Sequence, residues 1–254
     1  MTNINIVIST IFQNSGDATR ALEIAKVIKN HQPTGYTATI TFISRGSRFE
    51  QQAKDLGFKI HHATPVLKGI QYLEDFKTRF GELIGEVELA KELLQGEIDA
   101  YTTLKPDLLI YGFRPIASIA KRMVLPGCKS IAFLPIPLTS DFLKCPISFP
   151  DEMPLSRLPM KVQKAIMGAI PKSIKSRIPA LRHKCIRQAA EQLGRKGKKL
   201  INIFEMLESD LYLINDFPLF YDTTCFEKKV IFTGPLYSEI ADKRIEDHQI
   251  NEIL

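Results

Sequence analysis

Apolar positions along the chain fall into short unbroken runs separated by stretches of helical spacing. Ile4–Ser9 (INIVIS) is a continuous run, the pattern of a strand buried on both faces. A polar loop, Gln13-Asn14-Ser15-Gly16-Asp17, leads into ATRALEIAKVIKN, where Ala21, Ala25 and Ile28 recur at helical spacing with Leu22 and Ile24 beside them. Ser15 or Asp17 is placed to cap that helix, which stops near Asn30, before Pro33. Thr37–Ile43 (TATITFI) is rich in β-branched residues and reads as a second strand. A strand–helix–strand unit of this length predicts parallel pairing.

The alternation continues. Phe49–Leu56 reads as a short helix and Phe58–His62 as a strand. From Ile70 to Tyr101 apolar residues keep spacings of three and four, predicting a long helix or, broken at Gly81 and Gly85, two. Asp107–Tyr111, Ser130–Leu134, Asp210–Ile214 and Lys229–Thr233 are further strands, with helices at Ile116–Val124 and around Leu200–Leu207. About seven strands alternating with helices predict an α/β fold with a doubly wound, mainly parallel, Rossmann-like sheet. Between 135 and 200 the alternation lapses into a proline-rich, helical insertion.

Composition narrows the class. The chain has 254 residues, 44% hydrophobic and 24% charged, as globular domains do. No apolar run approaches the ~20 residues of a membrane span, and the N-terminus reads as a strand rather than a signal peptide. Four cysteines without a C-x-x-C pair, and His61 and His62 pointing to opposite strand faces, give no metal site. The expected compartment is the cytoplasm, with reduced thiols. Net charge is +6, but Arg157 to Lys199 holds thirteen basic residues and one acid, Glu191, a net +12. Such a block suits a polyanionic partner on one face; nucleic-acid modules are missing, leaving a membrane surface, a soluble acidic partner or an ordinary solvated face. In the insertion, Val162, Ala165, Ile166, Ala169 and Ile170 predict one amphipathic helix flanked by Lys161 and Lys164, while Leu181, Cys185, Ala189 and Leu193 predict a second. Basic amphipathic helices read as membrane-surface elements. Lys161, Lys164, Ile166 and Ile170 are the expected membrane contacts, and packing on the sheet is the alternative for the second helix.

In an open α/β sheet the ligand crevice lies at the carboxyl ends of the strands. Three loops should converge there: Ser15-Gly16-Asp17, Gly112-Phe113-Arg114-Pro115 and Pro135-Ile136-Pro137. Asp17 is the candidate general base, because a carboxylate at the crevice mouth can accept a proton from a substrate hydroxyl. Helix capping is the competing role, and the helix dipole is expected to lower its pKa. No G-x-G-x-x-G, P-loop or G-x-S-x-G motif is present.

These motifs together resemble the N-terminal domain of GT-B glycosyltransferases, in particular the antibiotic and sterol branch. The resemblance rests on Ser15-Gly16-Asp17 through Ala25 after the first strand, on Lys105-Pro106-Asp107-Leu108-Leu109-Ile110 through Arg114 and Ala120, and on Val230-Ile231-Phe232-Thr233-Gly234-Pro235-Leu236. It implies an acceptor-binding domain over 1–236, with Asp17 as base toward a hydroxyl acceptor. Ser15, Gly16, Phe113, Arg114, Pro135 and Pro137 would shape the acceptor site. The insertion, about 135–200, would touch the membrane in members acting on lipids. Arg20 stands where proline is usual, and Gly112 where some members carry an aspartate. The resemblance also implies no cofactor beyond a nucleotide-sugar co-substrate. That donor would be bound by a second domain, of which 237–254 is the linker or start, or by a partner chain, so the chain should be inactive alone. Two other readings stay open: a non-catalytic α/β binding or membrane-anchoring subunit, and a nucleotide-binding Rossmann enzyme, which the absent glycine fingerprint disfavours.

Overall fold

A computed structural model describes residues 2–47, 49–69, 71–79, 82–145, 154–175 and 182–236. Its centre is a seven-stranded, all-parallel sheet formed by β1 (Thr2–Ser9), β2 (Tyr36–Ser44), β3 (Lys59–His62), β4 (Leu108–Tyr111), β5 (Lys129–Leu134), β6 (Leu211–Ile214) and β7 (Val230–Phe232). The spatial order is β3-β2-β1-β4-β5-β6-β7. The direction of winding therefore reverses between β1 and β4, and a crevice opens outside their carboxyl ends.

The unbroken apolar runs are explained by two cores of opposite pleat parity. Val7, Ile43, Leu109, Tyr111, Leu134 and Ile214 face one side, while Ile6, Ile8, Phe42, Ile110 and Phe133 face the other. The second face is covered by α1 (Ser15–Asn30), through Ala18, Ala21, Leu22 and Ala25, and by α2 (Glu50–Asp55), through Ala53. The first face is covered by α4 (Val87–Leu104), α5 (Pro115–Val124), α8 (Lys184–Gln192) and α9 (Ile203–Met206).

The stretch from 70 to 101 departs from expectation. Among the described residues its first half yields only one helical turn, α3 (Tyr72–Asp75), before α4. Asp75 accepts the N–H groups of Lys68 and Gly69 at 3.1 and 2.8 Å, tying that turn back to the preceding loop. The Gly85 N–H donates to the Phe76 carbonyl at 3.1 Å, and its backbone lies so close to the Lys77 carbonyl that no Cβ would fit. A closed loop replaces the helix because this close approach needs glycine.

The insertion also differs. α6 (Met160–Ala169) buries Gln163 and Met167, not the predicted stripe. It packs on the 3-10 turn Pro154–Arg157 rather than on the sheet, and the Gln163 amide donates to the Ser156 and Leu158 carbonyls, both at 2.7 Å. The stripe is left outward or half-buried. α7 (Lys172–Lys175) turns one lysine of the basic block inward, where Lys175 Nζ donates to the Leu143 carbonyl at 3.0 Å. α8 takes the alternative foreseen for it and packs on the first-face core through Cys185, Ile186, Ala189 and Ala190. No helix among the described residues is long and apolar enough to cross a membrane. The expected linker or second-domain start, 237–254, lies outside the described residues.

Candidate functional site

The turn after β1 brings the chain into α1 through Asn14, whose side chain accepts the Gly16 N–H at 2.9 Å and is the N-cap. Neither Ser15 nor Asp17 serves as the cap. Asp17 is instead the third residue of the helix and turns inward, only 3% exposed. Its Oδ1 accepts a bond from Arg20 Nη1 at 2.9 Å, one helical turn on, and its carboxylate also accepts the Phe113 N–H. Burial raises its pKa from 3.8 to about 6, outweighing the opposing pull of Arg20, of Arg114 and of the Phe113 N–H. The lowering expected from the helix dipole is overturned, because desolvation of a carboxylate exceeds what one helix end returns.

A second charged group lies beneath. Glu97 sits on the face of α4 that covers the sheet and is wholly buried. Ser9, the one polar residue pointing to that face at the end of β1, donates its hydroxyl to both Glu97 oxygens at 3.0 and 3.1 Å. Arg114 Nη2 approaches Glu97 Oε1 at 2.8 Å as a charge contact, and Arg45 Nη2 lies 3.7 Å from the same oxygen. Burial alone would raise the Glu97 pKa, but the two guanidiniums and the Tyr101 and Ser9 hydroxyls hold it below the usual range. Arg114 Nη1 also donates to the Thr10 carbonyl at 3.0 Å, and Arg45 donates to the carbonyls of Thr64 and Leu93. Arg114 Nε, Arg45 Nε and the Thr10 hydroxyl are buried without hydrogen-bond partners among the described residues.

Above this layer is a cavity of about 340 Å3, within the range that small ligands occupy. Its walls are Ile11, Tyr72, Leu83, Phe113, Pro135, Ile136 and Leu138, with Asn14, Asp17 and Arg20 as the polar groups. The three loops expected to converge do so. Of the residues named from the sequence, Asp17, Phe113 and Pro135 line the cavity. Ser15 is exposed outside it, Gly16 is half-buried, and Pro137 is buried behind the wall. Arg114 is under the floor, on Glu97. Gly112 is packed so that a Cβ would meet the Phe133 ring at 2.9 Å, leaving no room there for a larger residue. On the insertion, Lys161 and Lys164 are exposed and Ile166 and Ile170 half-buried. Sequence reasoning missed Arg20, Tyr72, Arg45 and Glu97. Only Glu97 left a signal: it is an acid at i+3 and i+4 from Leu94 and Leu93, and it precedes Ala100 and Tyr101 by the same spacings. Among the described residues no group of three or more His, Cys, Asp or Glu is placed to hold a metal ion.

No protein-family model and no curated protein matches the chain. Solved structures do. The glycotransferase of kitacinnamycin aligns over 94% of this chain and 53% of its own, at 16% identity and a TM-score of 0.50. Arabidopsis thaliana UGT89C1 complexed with UDP aligns over 93% and 50%, at 16% identity and 0.49. CalG4, the calicheamicin glycosyltransferase, aligns over 92% and 53%, at 15% identity and 0.49. The chain spans about half the length of the structures it matches. Its fold, an all-parallel Rossmann-like sheet with flanking helices, is that of one half of a GT-B glycosyltransferase.

Proposed function

We propose that residues 1–236 are the acceptor-binding half of a glycosyltransferase in which Asp17 is the general base. The acceptor hydroxyl oxygen attacks the anomeric carbon of a nucleotide sugar and forms the new C–O bond. The bond from that carbon to the diphosphate breaks, the nucleotide leaves with the electron pair, and the hydroxyl proton passes to Asp17. One observation carries this reading: a single carboxylate, free of capping duty, stands in an otherwise largely apolar cavity where the sheet changes its winding direction. With a pKa of about 6 it is ionised at neutral pH yet a stronger base than an exposed aspartate. The donor sits on a second nucleotide-binding unit, in the same chain or a partner, packed on this edge. Leu219 and Phe220, 92% and 73% exposed on the turn after β6, offer apolar surface for that contact. The test is sugar transfer by the assembled transferase. Asp17→Asn should lower kcat by about 10²–10⁴-fold with little change in acceptor KM; wild-type turnover would remove Asp17 from the chemistry.

A second reading concerns α6, and we propose that it rests on the anionic cytoplasmic face of a membrane, giving access to lipid-borne hydroxyls. The observation favouring it is that Met160, Val162, Ala165 and Ala169 are exposed beside Lys161 and Lys164. Each basic residue near an anionic surface contributes about 1 kcal/mol, and this part must weaken with salt. Vesicle co-sedimentation should be stronger with anionic than with neutral lipid at low salt, and lost on Lys161→Ala with Lys164→Ala. Equal, negligible sedimentation with both lipids would leave α6 an ordinary surface helix or a site for a soluble acidic partner.

A further inference from the structure

The charges around the cavity do not balance. Two carboxylates, Asp17 and Glu97, meet three guanidiniums, Arg20, Arg45 and Arg114, among the described residues. Glu97 is shared by the two buried arginines, so Asp17 alone answers Arg20. That ion pair uses Nη1, at 2.9 Å, and a guanidinium has five donors in a planar fork. Arg20 lines the cavity with its side chain 20% exposed. A Cβ at position 16 would reach only van der Waals contact, 3.4 Å, with Nη2. The opposing walls, Ile11, Tyr72, Leu83 and Phe113, are aliphatic and aromatic surface suited to a flat ring.

We propose that Arg20 is an anion-binding subsite and that the acceptor is an aromatic hydroxy acid, with its carboxylate on Arg20, its ring between the apolar walls and its hydroxyl at Asp17. The inference rests on the acceptor-binding reading above. A planar fork holding Asp17 at one edge accepts a second carboxylate at the other, and the charge of that carboxylate offsets the surplus cation of the Arg45–Glu97–Arg114 layer beneath. The bound carboxylate also draws on the charge that steadies ionised Asp17, which makes Asp17 the stronger base when substrate is in place. A neutral analogue would forgo the charge-assisted bond and leave the surplus cation uncompensated.

The test is calorimetric titration of the whole chain at pH 8 with para-hydroxybenzoate, para-hydroxybenzamide and benzoate, and with the hydroxynaphthoate and hydroxynaphthamide pair as a larger ring. A shift of the Arg20 Nε resonance reports the site directly. The acid of each pair should bind about tenfold or more tightly than its amide, the order of one charge-assisted hydrogen bond. Arg20→Gln, which can still donate to Asp17, should bring the ratio near one, while Arg20→Lys should keep part of the preference. Equal binding of acid and amide to the wild type, or a preference that survives in Arg20→Gln, overturns the subsite and leaves the acceptor reading intact. Failure of the acceptor reading looks different: the acid preference holds, but benzoate binds as well as hydroxybenzoate and Asp17→Asn changes nothing. Absence of binding by all five compounds at millimolar concentration overturns the proposed ligand class.

Discussion

Asp17 should be a stability liability, and the size of the liability follows from its burial. Its pKa rises from 3.8 in a free chain to about 6 when folded. The folded state therefore holds the proton more tightly than the unfolded state. The stabilisation tied to that proton is complete below about pH 4, falls away as pH rises through 6, and is gone above it. At about 1.4 kcal/mol per unit, ionised Asp17 costs the native state about 1–3 kcal/mol at pH 8. The side chain is 4% exposed, so solvent screening takes little off that figure. Asparagine has the shape of the protonated acid and no charge. Asp17→Asn should therefore be more stable than wild type by about 1–3 kcal/mol at pH 8, with the gap closing toward pH 4. Urea unfolding of both proteins from pH 4 to 8.5, at equal m, measures the difference directly. Under the proposed general-base role the same substitution should also lower transfer, so one residue would trade stability for activity. A variant less stable than wild type at pH 8, or a difference that does not change with pH, would refute the argument. Either result would mean that the bond to Arg20 outweighs the desolvation.

Two further substitutions separate the roles around it. Asn14→Ala removes the α1 cap and should cost about 0.5–2 kcal/mol at all pH values, the opposite of Asp17→Asn in both sign and pH dependence; thermal melts across the same pH range distinguish them. Glu97→Gln leaves Arg45 and Arg114 without their shared carboxylate and should cost about 3–5 kcal/mol in chemical unfolding. Because the Glu97 pKa is lowered in the fold, the wild-type advantage is present above the ordinary glutamate pKa and shrinks as pH falls below it. Unfolding at pH 7 and at pH 3.5 should show that narrowing, and an equal loss at both would assign the effect to packing.

The sheet was legible because parallel strands buried on both faces are written as unbroken apolar runs, and a run such as INIVIS has few other uses. The stretch from 70 to 101 was not, because its apolar spacing is also satisfied by a loop folded on itself. What decides between helix and loop is the contact of Gly85 with the Lys77 backbone, eight residues away, which periodicity does not encode. The insertion misled for a related reason. A stripe of Val162, Ala165, Ile166, Ala169 and Ile170 states which face is apolar, not whether anything covers it. Without a sheet beneath, α6 buried the side where Gln163 could bond two carbonyls and Met167 could fill the gap.

The site was half legible, and the division is physical. Loops at the carboxyl ends of β1, β4 and β5 must converge once strand order is known, so Asp17, Phe113 and Pro135 follow from topology. The residues that set the charge of Asp17 do not follow from topology. Arg20 lies on its own helix, but helical spacing between an Asp and an Arg is commonplace on solvated surfaces and says nothing of burial. Arg45 and Arg114 follow the ends of different strands, β2 and β4, and meet only because Glu97 waits on α4 to receive them. Glu97 is in turn tolerable only because Ser9 ends β1 on the α4 face with a hydroxyl to donate. Each of these polar residues looks like an exposed position until the others are in place. A sequence reader should therefore search for them as a set: an acid inside an apolar helical stripe, a serine closing a buried strand, and arginines just past strand ends. Here that set marks the floor of the cavity, and it leaves one positive charge over beneath Asp17.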